Sequence, residues 1–388
     1  MRSCWPAVVI AVAVTVFFHL IVAVEKPDYW TAPIWDEGYY HWIATDGYQS
    51  KGEDYFAQTN VCFSPGYPMV LRALHGAVGV APAKSRLVVS AICFLIACIG
   101  LWRLYEGFQT DRLRNAAAIA YFALWPGSFY FLSGYAENLY LPLAVWCCHS
   151  LVRRRYLLAA LLAGSALFTR SPAIILAPTI ALTVAVHMLS DSRPASLREL
   201  THCVFRWGVR MCIYMPICGL GLAGYMLMLW STPGIDDPLA FLKGYVSWIR
   251  VVHHGVENFY LEAPYRALAM YQSLLSVKLS VWFFMLTPVV VMWQRRRLPL
   301  VLVVFTTMGW MFFLAQFRQQ QPFLDMLRWS AIFFPVHYCL AGILDRPASY
   351  LARVLPHARL IVHLGVLAVF ACVYWYLVAR YLSIQWVS

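Results

Sequence analysis

The sequence has too little charge for a water-facing protein. Of 388 residues, 12% are charged and 61% hydrophobic, with a mean hydropathy of +0.63. A soluble domain carries about 25% charged residues, so a soluble globular enzyme is excluded, and so is disorder, which needs low hydrophobicity. No Cys-x-x-Cys pair occurs among the 11 cysteines. Most of them, including Cys93, Cys98, Cys147, Cys148, Cys212 and Cys218, lie in apolar runs, where a thiol acts as a small hydrophobe. Only Cys62 falls in a clearly polar loop. Neither a disulfide framework nor a zinc site is read from this pattern. The chain also lacks Asn-x-Ser/Thr, lacks the Asp-x-Asp typical of nucleotide-sugar enzymes, and shows no matching halves. The last absence argues against a paired-repeat secondary transporter or flippase, the alternative kept for this chain.

What the sequence does have is long apolar runs. About 20 residues cross a bilayer as a helix. Candidate spans are Pro6–Val24, Leu87–Leu104, Ala116–Leu132, Leu139–Val152, Tyr156–Thr169, Ala173–Leu189, Met211–Trp230, Leu274–Trp293, Pro299–Phe317, Ala331–Leu344 and Leu360–Val378. The expected fold class is therefore all-α and polytopic, a single membrane domain over residues 1–388 with about 11 spans. The first run is expected to be an uncleaved anchor rather than a signal peptide, because no clear cleavage site follows it.

Charge orients these spans. With a cytoplasmic N-terminus and strict alternation, the inner loops collect 17 basic residues, among them Arg153, Arg154, Arg155 and the triplet Arg295–Arg297, against five acids. The remainder holds 13 basic and 13 acidic residues, so the whole net charge of +12 lies on one face. That is the positive-inside pattern. It removes any need for nucleic acid as a partner and points to anionic membrane lipid.

Two long loops then face outward, residues 25–86 and 231–273, and long loops are usually functional. In the first, Trp35, Tyr39, Trp42 and Ile43 recur at helical spacing between Pro33 and Gly47, which predicts an interfacial helix with Asp36 and Glu37 in its first turn. After the polar segment Gln49–Asn60, a second interfacial helix is expected, with Ser64 as N-cap, Pro65 at its first position, and Met69, Leu71 and Leu74 as its apolar face.

Five blocks in order resemble the polyprenyl-phosphate-sugar-dependent glycosyltransferases of the GT-C fold, and within them the GPI mannosyltransferase 2 (PIG-V-like) group. They are Trp-Asp-x-x-Tyr-Tyr-x-x-Ile-Ala-x-x-Gly-Tyr at Trp35–Tyr48, and Phe-x-Pro-x-Tyr-Pro-x-x-x-Arg at Phe63–Arg72. Then come Leu124–Leu139 with its Pro-Gly-Ser and Tyr-Ala-Glu cores, Phe168-Thr-Arg-Ser-Pro172, and Leu327-Arg328-Trp329. Trp329 stands where the family has Tyr, and Tyr130 where it has Phe. The likeness is good from Trp35 to Ser190 and rests on hydropathy beyond it.

The resemblance implies inverting transfer of a sugar, mannose in the nearest group, from a polyprenyl-phosphate donor to a glycan, lipid or protein acceptor. Such chemistry needs a carboxylate to take the acceptor proton and cations to hold the leaving phosphate. Asp36 matches the family's first-loop acid, with Glu37 as runner-up. The expected phosphate ligands are Arg170, which ends a short span before Pro172, and Arg328, which could instead pair locally with Asp325. Glu137 is expected either to bond sugar hydroxyls or to be a plain turn acid, the alternative for Arg170 is snorkelling to the outer interface or pairing with Glu137, and Tyr40, Tyr67 and Arg72 complete the substrate-binding set. No cofactor is expected to be required; a divalent metal is possible but not indicated. His253 and His254 are read as surface histidines, Asp236 and Asp237 as a solvated turn before Pro238, and Lys243 and Arg250 are left unassigned. Chain length and the missing sequon favour a bacterial inner membrane, with the endoplasmic reticulum membrane as the alternative.

Overall fold

The computed structural model describes residues 3–49, 59–244, 275–316, 326–355 and 357–383. The predicted roles of Arg250, His253, His254 and Asp325 lie outside these residues. All described regular structure is helical. In chain order the helices are α1 (Trp5–Glu25), α2 (Asp36–Thr45), α3 (Gly66–Val78), α4 (Pro82–Glu106), α5 (Arg112–Ala123), α6 (Glu137–Val152), α7 (Tyr156–Thr169), α8 (Leu176–Ser192), α9 (Leu197–Trp230), α10 (Leu275–Gln294), α11 (Leu300–Gln316), α12 (Met326–Ser330), α13 (Phe334–Leu351) and α14 (Ala358–Leu382).

Among the described residues, ten of the eleven predicted apolar runs fall largely on one helix each. Five stretches among the described residues are long and apolar enough to cross a membrane: Trp5–Glu25, Pro82–Glu106, Ser171–Ser192, Leu197–Trp230 and Ala358–Leu382. Their outer faces carry unpartnered apolar stripes, such as Val9, Val12, Val16 and Leu20 on α1 and Val209, Ile213, Leu220 and Leu227 on α9. A water-facing surface would not expose such stripes, whereas lipid accommodates them.

One predicted span is different. The run Ala116–Leu132 is not a single helix: α5 stops at Ala123, and Ser128–Phe131 forms a 3-10 turn. Pro126 explains the stop, since it lacks an N–H and disfavours helix before it. The irregular stretch between α5 and α6 is buried from Trp125 to Ala136. Non-helical backbone at membrane depth is tolerated when protein covers it.

Helix ends gather at two poles. At one pole Arg154 pairs with Asp191 at the α7 start and α8 end, and Arg359 pairs with both Asp111 and Asp345 across α5, α13 and α14. At the other, α2 and α3 join the ends of α1, α7, α9 and α14 and the starts of α4 and α6. There the beginning of the second long loop packs on the first. Ile235 and Ala240 share a small core with Ile43, Tyr48, Val61, Tyr225 and Leu229. The Tyr225 hydroxyl donates to the carbonyls of Val61 and Phe63, and the Tyr48 hydroxyl donates to Phe63 as well.

Candidate active site

The helix expected after Pro33 starts at Asp36, three residues later. Trp35 precedes it with φ 51° and ψ −139°, a region costly for a bulky residue, by about 1–3 kcal/mol. Both acids of the first turn follow. The inward face of α2 is Glu37, Tyr40, Ile43 and Ala44, while Trp35 is exposed. Beyond it, α3 begins at Gly66, and Ser64 makes no cap bond. The start of α3 presses against the end of α7, where a Cβ on Gly66 would meet Thr169 at 2.8 Å. Tyr67 and Leu71 form the buried face of α3, whereas Met69 is exposed.

The two neighbouring acids go to different places. Asp36 points to a cluster. Its Oδ2 accepts from Nη1 of Arg328 at 2.9 Å, and Arg328 Nε lies 2.9 Å from Oε1 of Glu137. Arg170 pairs with the same Glu137 oxygen. Glu137 is fully buried, Arg170 and Arg328 nearly so, and the Asp36 carboxylate is the most exposed of the four at 31%. Arg170 stacks over the Trp329 ring at 4.7 Å, and Arg328 lies over Tyr135 at 5.3 Å. The Tyr40 phenol is buried within electrostatic reach of all four charges, and burial pushes its pKa up. The Tyr39 phenol is also raised, by burial first and then by Asp36.

Glu37 instead turns into the protein. Its Oε1 accepts from the hydroxyls of Tyr29 and, at 2.5 Å, Tyr381, and its Oε2 accepts from Nε of Arg86 at 2.9 Å. The group is sealed, Glu37 and Arg86 each being 1% exposed.

Of the predicted substrate-binding residues, the fold unites Arg170, Arg328, Glu137 and Tyr40 with Asp36. Glu137 makes the pair with Arg170 that was the alternative to a phosphate role for that arginine, and it holds Arg328 as well. Tyr67 adjoins the cluster through Tyr40, with ring centroids 5.6 Å apart, and Arg72 serves α2 instead. The Tyr67 hydroxyl donates to the Arg86 carbonyl at 3.3 Å. Arg72 donates from Nε and Nη2 to the carbonyls of Ala44 and Ile43, at 2.8 and 2.7 Å, satisfying the last turn of α2. Asp237 forms the expected turn, accepting from the Leu239 amide and pairing with Lys243, whose ammonium lowers its pKa. Among the described residues no group of three or more His, Cys, Asp or Glu could hold a metal ion.

Arg86, Tyr29 and Tyr381 are absent from the sequence-based set. The available signal was Arg86 itself, a cation at the mouth of an apolar run whose start was placed one residue later.

Two glycines of the third motif block allow this geometry. A Cβ on Gly127 would overlap the carbonyl of Leu327, so Gly127 lets the segment carrying Arg328 come close. A Cβ on Gly134 would lie 2.5 Å from Cδ of Arg86, so Gly134 makes room for that side chain.

Comparison with known proteins gives one family match. A family described as mannosyltransferase (PIG-V) matches residues 12–204, a stretch that holds Asp36, Glu37, Glu137 and Arg170. The match supports a membrane glycosyltransferase, and over that stretch the chain resembles this mannosyltransferase family. No curated protein matches its sequence. Among solved structures it is similar to the archaeal oligosaccharyltransferase AglB from Archaeoglobus fulgidus, in complex with an inhibitory peptide and a dolichol-phosphate. Identity is 13% and the TM-score 0.48, over 97% of this chain and 56% of that one, so the chain spans little more than half the length of AglB.

Proposed function

We propose that the protein transfers mannose from a polyprenyl-phosphate donor to an acceptor hydroxyl at the non-cytoplasmic membrane face, with inversion. The observation that carries this reading is the continuous line Asp36–Arg328–Glu137–Arg170. It puts one partly exposed carboxylate against one guanidinium and joins a second guanidinium to it through Glu137. Asp36 takes the acceptor proton as the acceptor oxygen attacks the anomeric carbon. The bond to the donor phosphate breaks, and the charge that grows on the phosphate is met by Arg170 and Arg328, whose planar forks suit phosphate oxygens. Glu137 holds both arginines from behind.

The site lies at a pole formed by helix ends, beside α2 and α3, which suits a donor whose tail stays in the bilayer. The basic clusters of the inner loops, including Arg154 and Arg359, lie at the opposite pole, which supports an outward-facing site under the positive-inside rule. A bacterial inner membrane remains the proposed location. The test is transfer from radiolabelled synthetic polyprenyl-phosphate mannose to acceptors in a membrane extract by the detergent-purified protein. Donor-dependent incorporation is expected, and its absence with active extract would contradict the reading.

A further inference from the structure

We infer that Glu37 and Arg86 form a positioning pair that sets the direction of Asp36, with Tyr29 and Tyr381 completing the lock. The inference rests on the reading of Asp36 as the base.

The junction before α2 is unfavourable in isolation, because Trp35 has a backbone conformation suited to glycine. Such a conformation persists only when its surroundings over-determine it. Arg86 supplies the constraint from both sides. Before the junction, its Nη1 donates to the Trp30 carbonyl at 3.3 Å and its Nη2 to the Tyr29 carbonyl. After the junction, its Nε holds Glu37. Tyr381, on the last turn of α14, adds a third element: its hydroxyl donates to Glu37, and its carbonyl accepts from the Trp35 indole at 3.5 Å.

The same arginine also underlies the other half of the site. It packs against Gly134, three residues before Glu137. One turn further along α4, Ser90 donates from its hydroxyl to the Ser133 carbonyl at 2.6 Å. One buried ion pair therefore sits beneath both the acid that would take the proton and the turn that carries the arginine holder. Glu37 is sealed from any substrate, so it acts through Asp36.

The experiment compares Glu37→Gln, Tyr381→Phe and Asp36→Asn in detergent-purified protein. It measures kcat, donor KM and thermal unfolding, with polyprenyl-phosphate mannose as donor. A positioning role predicts a kcat loss of about 10–100-fold for Glu37→Gln, as for supporting partners at other sites, with donor KM nearly unchanged. Tyr381→Phe, which removes one hydroxyl and leaves the ion pair intact, should show the same split at smaller size. Should Tyr381→Phe keep wild-type kcat and KM while Glu37→Gln either fails to fold or loses kcat and donor binding in parallel, the network is only structural and the inference falls. If Glu37→Gln folds with unchanged kcat, it falls as well. Full activity of Asp36→Asn would instead remove the base assignment, a failure distinct from that of the lock.

Discussion

Glu137 and Arg328 are 191 residues apart in sequence, yet Oε1 of the one lies 2.9 Å from Nε of the other at a fully buried position. The same oxygen faces Arg170. A carboxylate so placed cannot reach substrate without giving up its arginines, and in the proposed mechanism it fixes them.

Removing that charge should therefore be felt in the fold and in the donor site together. Breaking a buried ion pair by neutralising one partner costs about 3–5 kcal/mol. Glu137→Gln should lower the unfolding temperature in detergent and raise donor KM. Unchanged stability would mean that Glu137 is not the holder.

Arg170→Lys keeps the charge but loses the planar fork, and it loses the stacking on Trp329. A charge-assisted hydrogen bond contributes about 1.5–3 kcal/mol. Arg170→Ala should therefore weaken donor binding by about tenfold to a hundredfold, with the lysine variant between it and wild type. Titration with a non-transferable polyprenyl-phosphate analogue reads this directly. Normal donor binding by Arg170→Ala would leave the arginine as a structural partner of Glu137 alone.

The two glycines yield a geometric prediction. Gly127→Ala would force apart the segments that carry the third motif block and Arg328. Overpacking of this kind costs about 1–3 kcal/mol, and the shift moves Arg328, a proposed phosphate ligand. Activity should fall more than stability. Equal expression and full transfer activity would show that the backbone yields elsewhere.

Much of the fold was legible because hydropathy alone marks apolar helices, and the motif residues Asp36, Glu137, Arg170 and Arg328 do meet. Three things were not. The break after Ala123 is a proline effect inside an otherwise continuous apolar run. Arg72 is placed in the substrate-binding set by its motif, but it satisfies the carbonyls of Ile43 and Ala44, a partnership that exists only once α2 and α3 are packed. Adjacent positions on a helix diverge by about 100°, so one of the two first-loop acids had to turn away. Which one depended on Arg86 and on Tyr381, from the far end of the chain.

Orientation can be tested by thiol labelling. Burial raises the Cys62 thiol pKa, which makes the native cysteine slow to react. Cysteines placed at the exposed positions Asp46 and Arg154 are better reporters. An impermeant reagent on intact cells should label Asp46→Cys and should reach Arg154→Cys only after permeabilisation. The reverse pattern would put the site on the cytoplasmic side.

The central claim is that Asp36 takes the acceptor proton. Asp36→Asn keeps the shape and a hydrogen bond to Arg328 but cannot act as base. Transfer rate and donor affinity measured on the same purified Asp36→Asn protein decide the matter. The account predicts a turnover loss of about 10²–10⁴-fold with donor affinity nearly intact. Full turnover by a folded Asp36→Asn protein would contradict it, and would place the chemistry outside this cluster.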